Sequence, residues 1–193
     1  SPALLFCDKT FRLPFKVDEN YIEEVLRICI QEKVDLVIPL IDHELGLFAK
    51  YRKMFNMNNI EVMISFESSI EISSDKMNTF NFFSKYNFIN NPYTSLLKYF
   101  NEKEFQTDLV ILKPKNGSSG IGIHKINKKD VFDFSRMMSL DSEKYIVQEY
   151  IDFDYETTID VFIAKENKLI ELCQRKRLKI RGGEVERAIT TKN

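Results

Sequence analysis

The chain has 193 residues, enough for one large domain or two small ones, and 44% apolar content with 16 Phe supports a packed core. Lys and Arg total 28 against 29 Asp and Glu, so a net charge of −1 supplies no global field toward nucleic acid or an anionic membrane. No apolar stretch reaches the length of a membrane span, and the start, Ser1 to Asp8, lacks a basic region ahead of a long apolar core. Three scattered cysteines and two histidines (His43, His124) offer no zinc spacing, and no metal site is expected. Cys7, Cys29 and Cys173 read as reduced, mostly buried thiols of a cytoplasmic protein.

Asp18 is the expected N-cap of a helix carrying Tyr21, Ile22, Val25, Leu26 and Cys29 at helical spacing. Val34 to Leu40 follows as a strand whose apolar residues do not alternate, which predicts burial on both faces of a parallel sheet. A helix over Glu44 to Phe55 and a strand over Ile60 to Ile64 continue the alternation, so this part reads as a parallel α/β layer. Asp42 and Glu44 fall just past the C-terminal end of the first strand, where α/β sites form. The composition shifts between Ser65 and Ser74, which predicts one domain over 1–74 and a second over 75–193. A helix is expected to open near Ser74-Asp75-Lys76 with Phe80 and Phe83 inward. Asp108 to Ile126 reads as a hairpin, Asp130 to Met138 as a helix, and Lys144 to Ile151, Thr157 to Ala164 and Leu169 to Gln174 as strands. The second half is therefore antiparallel α+β, and the fold class is α/β plus α+β.

The hairpin is the most informative segment. An apolar strand, Leu109 to Leu112, ends in Lys113, and the tip Lys115-Asn-Gly-Ser-Ser-Gly120 leads into a second strand, Ile121 to Ile126. Glycines let backbone N–H groups approach an anion, serines add donors and lysine adds charge, so such a tip can fold over a polyphosphate. The alternative is a solvent-exposed turn. Two familiar phosphate loops are excluded. Counting from Gly117, P-loop spacing needs lysine where Ile123 stands. Counting from Gly120, the dinucleotide fingerprint needs glycine where Lys125 stands. Both of those loops open a helix, whereas this one opens a strand.

In order and spacing these segments resemble the ATP-grasp superfamily, in particular the carbamoyl-phosphate-synthase-like carboxylate–amine ligases. Asp75-Lys76 with Pro92 is similar to the family's helix and following strand, and Leu109 to Ile123 to its phosphate-covering flap. Val147-Gln-Glu-Tyr-Ile151 with Glu156 and Asp160 is similar to its adenine hinge and ribose segment. Asp35 to Glu44 resembles the domain that precedes the ATP-grasp module, and Arg177 to Arg187 the Arg/Gly segment beside the acceptor site. The resemblance implies a partial Rossmann-like pre-ATP-grasp domain followed by an incomplete ATP-grasp domain. The chain starts late relative to the first and stops ahead of the family's magnesium-binding acidic residues. It is therefore expected to be a piece of a longer ligase, inactive alone, with Mg2+ held only by the full-length protein.

By this resemblance, Lys76, Lys113 and Lys115 would meet the phosphates of ATP, with Ser118, Ser119 and Gly120 covering them. Main-chain groups of Gln148, Glu149, Tyr150 and Ile151 would read adenine, and Glu156 would accept from both ribose hydroxyls. Arg177, with Arg181 and Arg187, would face a carboxylate or acyl phosphate, Arg177 being the catalytic candidate. The partners would be a small-molecule carboxylate and an amine, with no nucleic acid or membrane, and a homodimer is left open. The activity would be an ATP-dependent ligase working through an acyl phosphate. The competing readings are a non-catalytic nucleotide-binding module or half of a split ligase, and an α/β interaction domain without ligand.

Overall fold

In the computed structural model, which describes residues 2–164, 168–181 and 184–191, Asp18 caps the first helix as its short acidic side chain predicts. Its Oδ1 accepts from the backbone N–H of Asn20 at 3.1 Å and of Tyr21 at 3.4 Å. The helix, α1 (Glu19–Gln31), buries Tyr21, Ile22, Val25, Ile28 and Cys29. Tyr21, Ile22, Val25 and Cys29 pack with Phe48 and Phe55 of α2 (Asp42–Asn56), whose rings lie 5.6 Å apart, and with Ile60 and Val62. The Tyr21 hydroxyl donates to Glu44 Oε1 at 2.8 Å in this core. Burial, and then the Glu44 carboxylate, push that hydroxyl well above the ordinary tyrosine range. Glu44 thus ties α1 to α2.

Two short strands pair in parallel, β1 (Leu36–Val37) and β2 (Glu61–Val62), with Leu36 opposite Glu61. They are shorter than the apolar runs around them. Leu36, Ile38 and Leu40 are exposed rather than covered on both faces. Among the described residues β1 pairs only with β2, so the run lacks the layers that a strand buried on both faces requires. The composition shift at Ser65–Ser74 is itself largely a helix, α3 (Glu67–Ser74). Asp75 then caps α4 (Lys76–Phe83), its Oδ1 accepting from Met77 N at 2.8 Å. Phe80 packs edge-on to Tyr93, ring centroids 6.0 Å apart, whereas Phe83 faces solvent. The chain divides into two compact units, Ser1–Asn78 and Thr79–Asn193.

The second unit holds a four-stranded antiparallel sheet made of β3 (Thr94–Leu96), β4 (Leu109–Pro114), β5 (His124–Asn127) and β6 (Tyr145–Glu149), in the spatial order β3-β6-β4-β5. The hairpin is β4–β5, with Val110 opposite Ile126 and Leu112 opposite His124. Its second strand starts at His124 rather than Ile121, because the turn residues extend through Gly122. Val110, Leu112 and Val147 point to one face, where they pack with Val131 of α5 (Val131–Met137), Leu97, Phe100 and Phe105. A separate sheet follows, β7 (Thr157–Ile163), β8 (Leu169–Arg181) and β9 (Glu184–Thr191). Here β8 runs well beyond Gln174, with register shifts around Lys179, and β9 extends the Arg/Gly segment into a third strand. Gly182 and Gly183 of that segment lie outside the described residues. Cys29 is buried as expected, Cys173 partly so, and Cys7 is exposed because the segment bearing it packs little area around it.

Two substitutions test this packing. Leu112 is fully buried, and Leu112→Ala is expected to lower stability by about 2–5 kcal/mol, read from the urea unfolding midpoint. Gly46 lies mid-helix in α2 with open space within 4 Å of where a Cβ would stand, so Gly46→Ala is expected to raise stability by about 0.5–1 kcal/mol in the same assay.

Candidate nucleotide-binding site

Strand β6 is interior, paired to β3 on one edge and to β4 on the other. That pairing aligns one residue from each strand in a row across the sheet: Lys125 on β5, Ile111 on β4, Gln148 on β6 and Thr94 on β3. Strand alternation puts this row on the face opposite the Val110–Leu112–Val147 core. Lys113 lies two residues beyond Ile111 on the same face, at the mouth of the hairpin, with Ile146 opposite it. Its Nζ donates to Gln148 Oε1 at 2.7 Å, and Gln148 Nε2 donates to Thr94 Oγ1 at 2.8 Å. Thr94 in turn donates to the Pro92 carbonyl at 3.0 Å. Thr94 and Ile146 are buried, while Ile111, Lys113 and Gln148 are half-buried. The face is thus apolar in its middle and cationic at the hairpin mouth.

The tip of the hairpin supplies the second element. Gly117, Ser119, Gly120 and Gly122 all have positive φ, at 111°, 58°, 71° and 73°, while Asn116, Ser118 and Ile121 do not. Left-handed residues interleaved with ordinary ones are the backbone pattern from which anion-binding turns are built. The loop folds back on its own strands at Gly122, where a Cβ would meet Tyr145 Oη at 3.0 Å and Pro114 Cγ at 3.1 Å. Lys115 anchors its start by donating its backbone N–H to the Lys144 carbonyl at 2.9 Å.

Most of the hinge is bonded into the sheet. Glu149 and Tyr150 donate their backbone N–H groups to the carbonyls of Tyr93, at 3.0 Å, and Leu109, at 3.1 Å. The Glu149 carboxylate accepts from Gln106 N at 2.7 Å and Tyr93 N at 3.3 Å, so it closes the sheet edge. Ile151 is the first residue of the hinge outside this ladder, and it is exposed. Lys125 Nζ sits 3.4 Å from the centroid of the Tyr150 ring, a cation–π contact tying the hairpin to the hinge. On the polar face of the third sheet the structure joins two residues to which the sequence gives separate roles. Arg177 Nη1 lies 3.6 Å from Glu156 Oε2, and Arg177 Nε donates to Thr158 Oγ1 at 2.8 Å. Asp160 pairs with Arg175 through both carboxylate oxygens, and the Arg175 hydrogen bonds hold its carboxyl below the usual carboxylate range. Lys76 alone of the expected residues lies in the first unit, at the start of α4. Burial lowers its pKa from the ordinary lysine value, and the neighbouring Asp75 partly offsets this.

Ile111, Thr94 and Lys125 did not emerge from sequence reasoning. Ile111 was within reach, since it lies two residues before Lys113 on the same strand face. Thr94 and Lys125 depend on strand pairings without a local signal. An open depression of about 670 Å³ against α5, lined by Leu97, Phe132, Arg136 and Leu140 among others, includes none of the residues of the polar face.

Likeness to solved structures shows that the chain adopts a partial ATP-grasp fold. The biotin carboxylase domain dimer of Hydrogenobacter thermophilus 2-oxoglutarate carboxylase, solved with MgADP, ADP and bicarbonate, matches with a TM-score of 0.70 at 15% identity, over 94% of this chain and 43% of that one. Carboxyaminoimidazole ribonucleotide synthase from Aspergillus clavatus, complexed with ATP, matches at 0.67 and 15%, over 93% and 46%. N5-carboxyaminoimidazole ribonucleotide synthetase from Thermotoga maritima matches at 0.59 and 20%, over 90% and 44%. This chain spans less than half the length of each. The profile of the tubulin-tyrosine ligase family matches residues 40–153, more than half of the sequence, and the chain belongs to that family. The profile of the PylC-like N-terminal domain matches residues 1–63. No curated protein matches the sequence. Among the described residues no helix is long and apolar enough to cross a membrane.

If the loop covers a bound nucleotide, its shape matters. Gly122→Ala is expected to strain the loop by about 1–2 kcal/mol, because the residue is left-handed and its Cβ has no room. Calorimetric titration should show weaker ADP binding; an unchanged Kd would mean that the loop does not close over the phosphates.

Proposed function

We propose that this chain holds the adenine nucleotide of an ATP-dependent carboxylate–amine ligase, of carbamoyl-phosphate-synthase-like type. The observation that carries the reading is the placement of Lys113 and the Lys125–Ile111–Gln148–Thr94 row on one sheet face, at the mouth of a hairpin whose tip has four left-handed residues. A compact lysine ammonium at the hairpin mouth suits a point contact to the α- and β-phosphates. Lys115, Ser118, Ser119 and Gly120 extend the donors over them. Ile111 and exposed Ile151 offer apolar area to adenine. Because Gln148, Glu149 and Tyr150 are bonded within the sheet, base reading by the main chain falls mainly to Ile151. Glu156 would accept from the ribose hydroxyls, and Arg177 beside it would orient that carboxylate.

In the reaction a carboxylate oxygen attacks Pγ, the bond from Pγ to the bridging oxygen breaks, and ADP leaves. An amine nitrogen then attacks the acyl carbon, phosphate departs and the nitrogen loses a proton. The chain's part is positioning and charge compensation. Magnesium is implied by the family, but among the described residues no group of three or more His, Cys, Asp or Glu could hold it. The substrates of the solved neighbours describe those proteins; for this chain the substrates are a small-molecule carboxylate and an amine, and the setting is the cytoplasm.

Lys113→Ala is expected to weaken ATP and ADP binding, and Glu156→Ala to weaken adenosine, each by about one to two decades for a lost charge-assisted hydrogen bond. Titration calorimetry with and without magnesium reads this, and ADP release with candidate carboxylates reads turnover. Binding without release in any condition favours the non-catalytic nucleotide-binding alternative. Parent-like ATP affinity in Lys113→Ala removes the phosphate role.

A further inference from the structure

The residue that meets Lys113 is an amide whose orientation is set from the neighbouring edge strand, β3. We infer that Thr94 and Gln148 are positioning residues. By one chain of hydrogen bonds they hold the Lys113 ammonium at the phosphate end of the nucleotide site. This inference rests on the nucleotide-binding reading above.

The geometry leaves the amide one orientation. Gln148 Nε2 donates to Thr94 Oγ1 at 2.8 Å, and the hydroxyl proton of Thr94 is directed to the Pro92 carbonyl at 3.0 Å. Thr94 is therefore an acceptor toward Gln148, the amide nitrogen must face it, and the amide oxygen must face Lys113, which it meets at 2.7 Å. Reversing the amide would set N–H groups against the ammonium and carbonyl oxygen against an already acceptor-committed hydroxyl. The chain begins on nearly buried ground, since Thr94 is 2% exposed, and it ends at a half-buried lysine on a neighbouring strand. Each member is pinned by the backbone ladder, Thr94 directly opposite Gln148 and Gln148 directly opposite Ile111. A lysine side chain has four rotatable bonds and loses much freedom when held. An acceptor fixed on the adjacent strand bears part of that ordering before any ligand arrives, which is preorganisation of a phosphate contact. A glutamine at this position also adds no charge of its own, so it directs the ammonium without opposing an anion.

The same amide is close to where a base would lie, and that gives the rival role: Gln148 could read adenine with its side chain. The two roles separate on the ratio of ADP to adenosine affinity. Positioning of Lys113 affects ligands that carry phosphate; base reading affects both ligands alike.

The test uses the chain with Thr94→Val, which keeps the shape and removes the hydroxyl, with Gln148→Met, and with the double variant. Each single change is expected to lower the ADP-to-adenosine affinity ratio about two- to tenfold, the range for one hydrogen bond. In the double variant the loss should match that of Gln148→Met alone, because Thr94 acts through the amide. In a Lys113→Met background, Thr94→Val should leave the ratio where Lys113→Met set it. Additive losses, equal losses for ADP and adenosine, or parent-like ratios overturn the inference while leaving nucleotide binding intact. A parent that binds neither ADP nor adenosine overturns the nucleotide reading, and this inference with it. If buried Thr94→Val does not fold, Gln148→Met at its half-buried site, alone and with Lys113→Met, separates the two roles in the same way.

Discussion

The arrangement of this site depends on β6 being an interior strand. Its backbone is bonded to β3 on one side and β4 on the other, so its side chains alternate without freedom. Val147 faces the core, and Ile146 and Gln148 face away from it. A one-residue slip would bury Gln148 and turn Val147 outward, at the cost of an unsatisfied amide in an apolar core. The buried row Val110, Leu112 and Val147, all 0% exposed, excludes that slip. Core packing on one face therefore determines which polar groups meet on the other.

A similar division holds in the third sheet, through charge rather than a core. Thr158 and Asp160 of β7, with Glu156 just ahead of that strand, share a face with Arg175 and Arg177 of β8. Ile159, Val161, Leu172 and Ile189 share the other. Cross-strand pairs of opposite charge each contribute modestly, and at this exposure solvent screens them further. Their effect is mainly on geometry: they hold Arg177 beside Glu156 and Thr158.

Likeness in fold at 15% identity across nearly the whole chain shows how little of an ATP-grasp fold requires particular side chains. The fold does not name a substrate. The groups that give this face its chemistry, Lys113, Gln148, Thr94 and the hairpin tip, are few, and each has a definite bonded neighbour.

Sequence alone determined the elements whose causes are local. The Asp18 cap, the hairpin around Gly117 to Gly122, the helix at Asp130 and the parallel then antiparallel order all follow from side chains within a few residues. Their boundaries moved where cover was missing, as at Leu36 to Leu40, or where turn glycines continued, as at Ile121 to Ile123. Lys113 stands inside β4 near its end and Glu156 just ahead of β7, both within segments whose strand character the sequence carries. What only the tertiary structure decided was who meets whom: Gln148 with Lys113 and Thr94, Glu149 with the amides at residues 93 and 106, Arg177 with Glu156 and Thr158. These partners are 19 to 56 residues apart, and contacts at such separation are set by strand order and register, which no local pattern encodes.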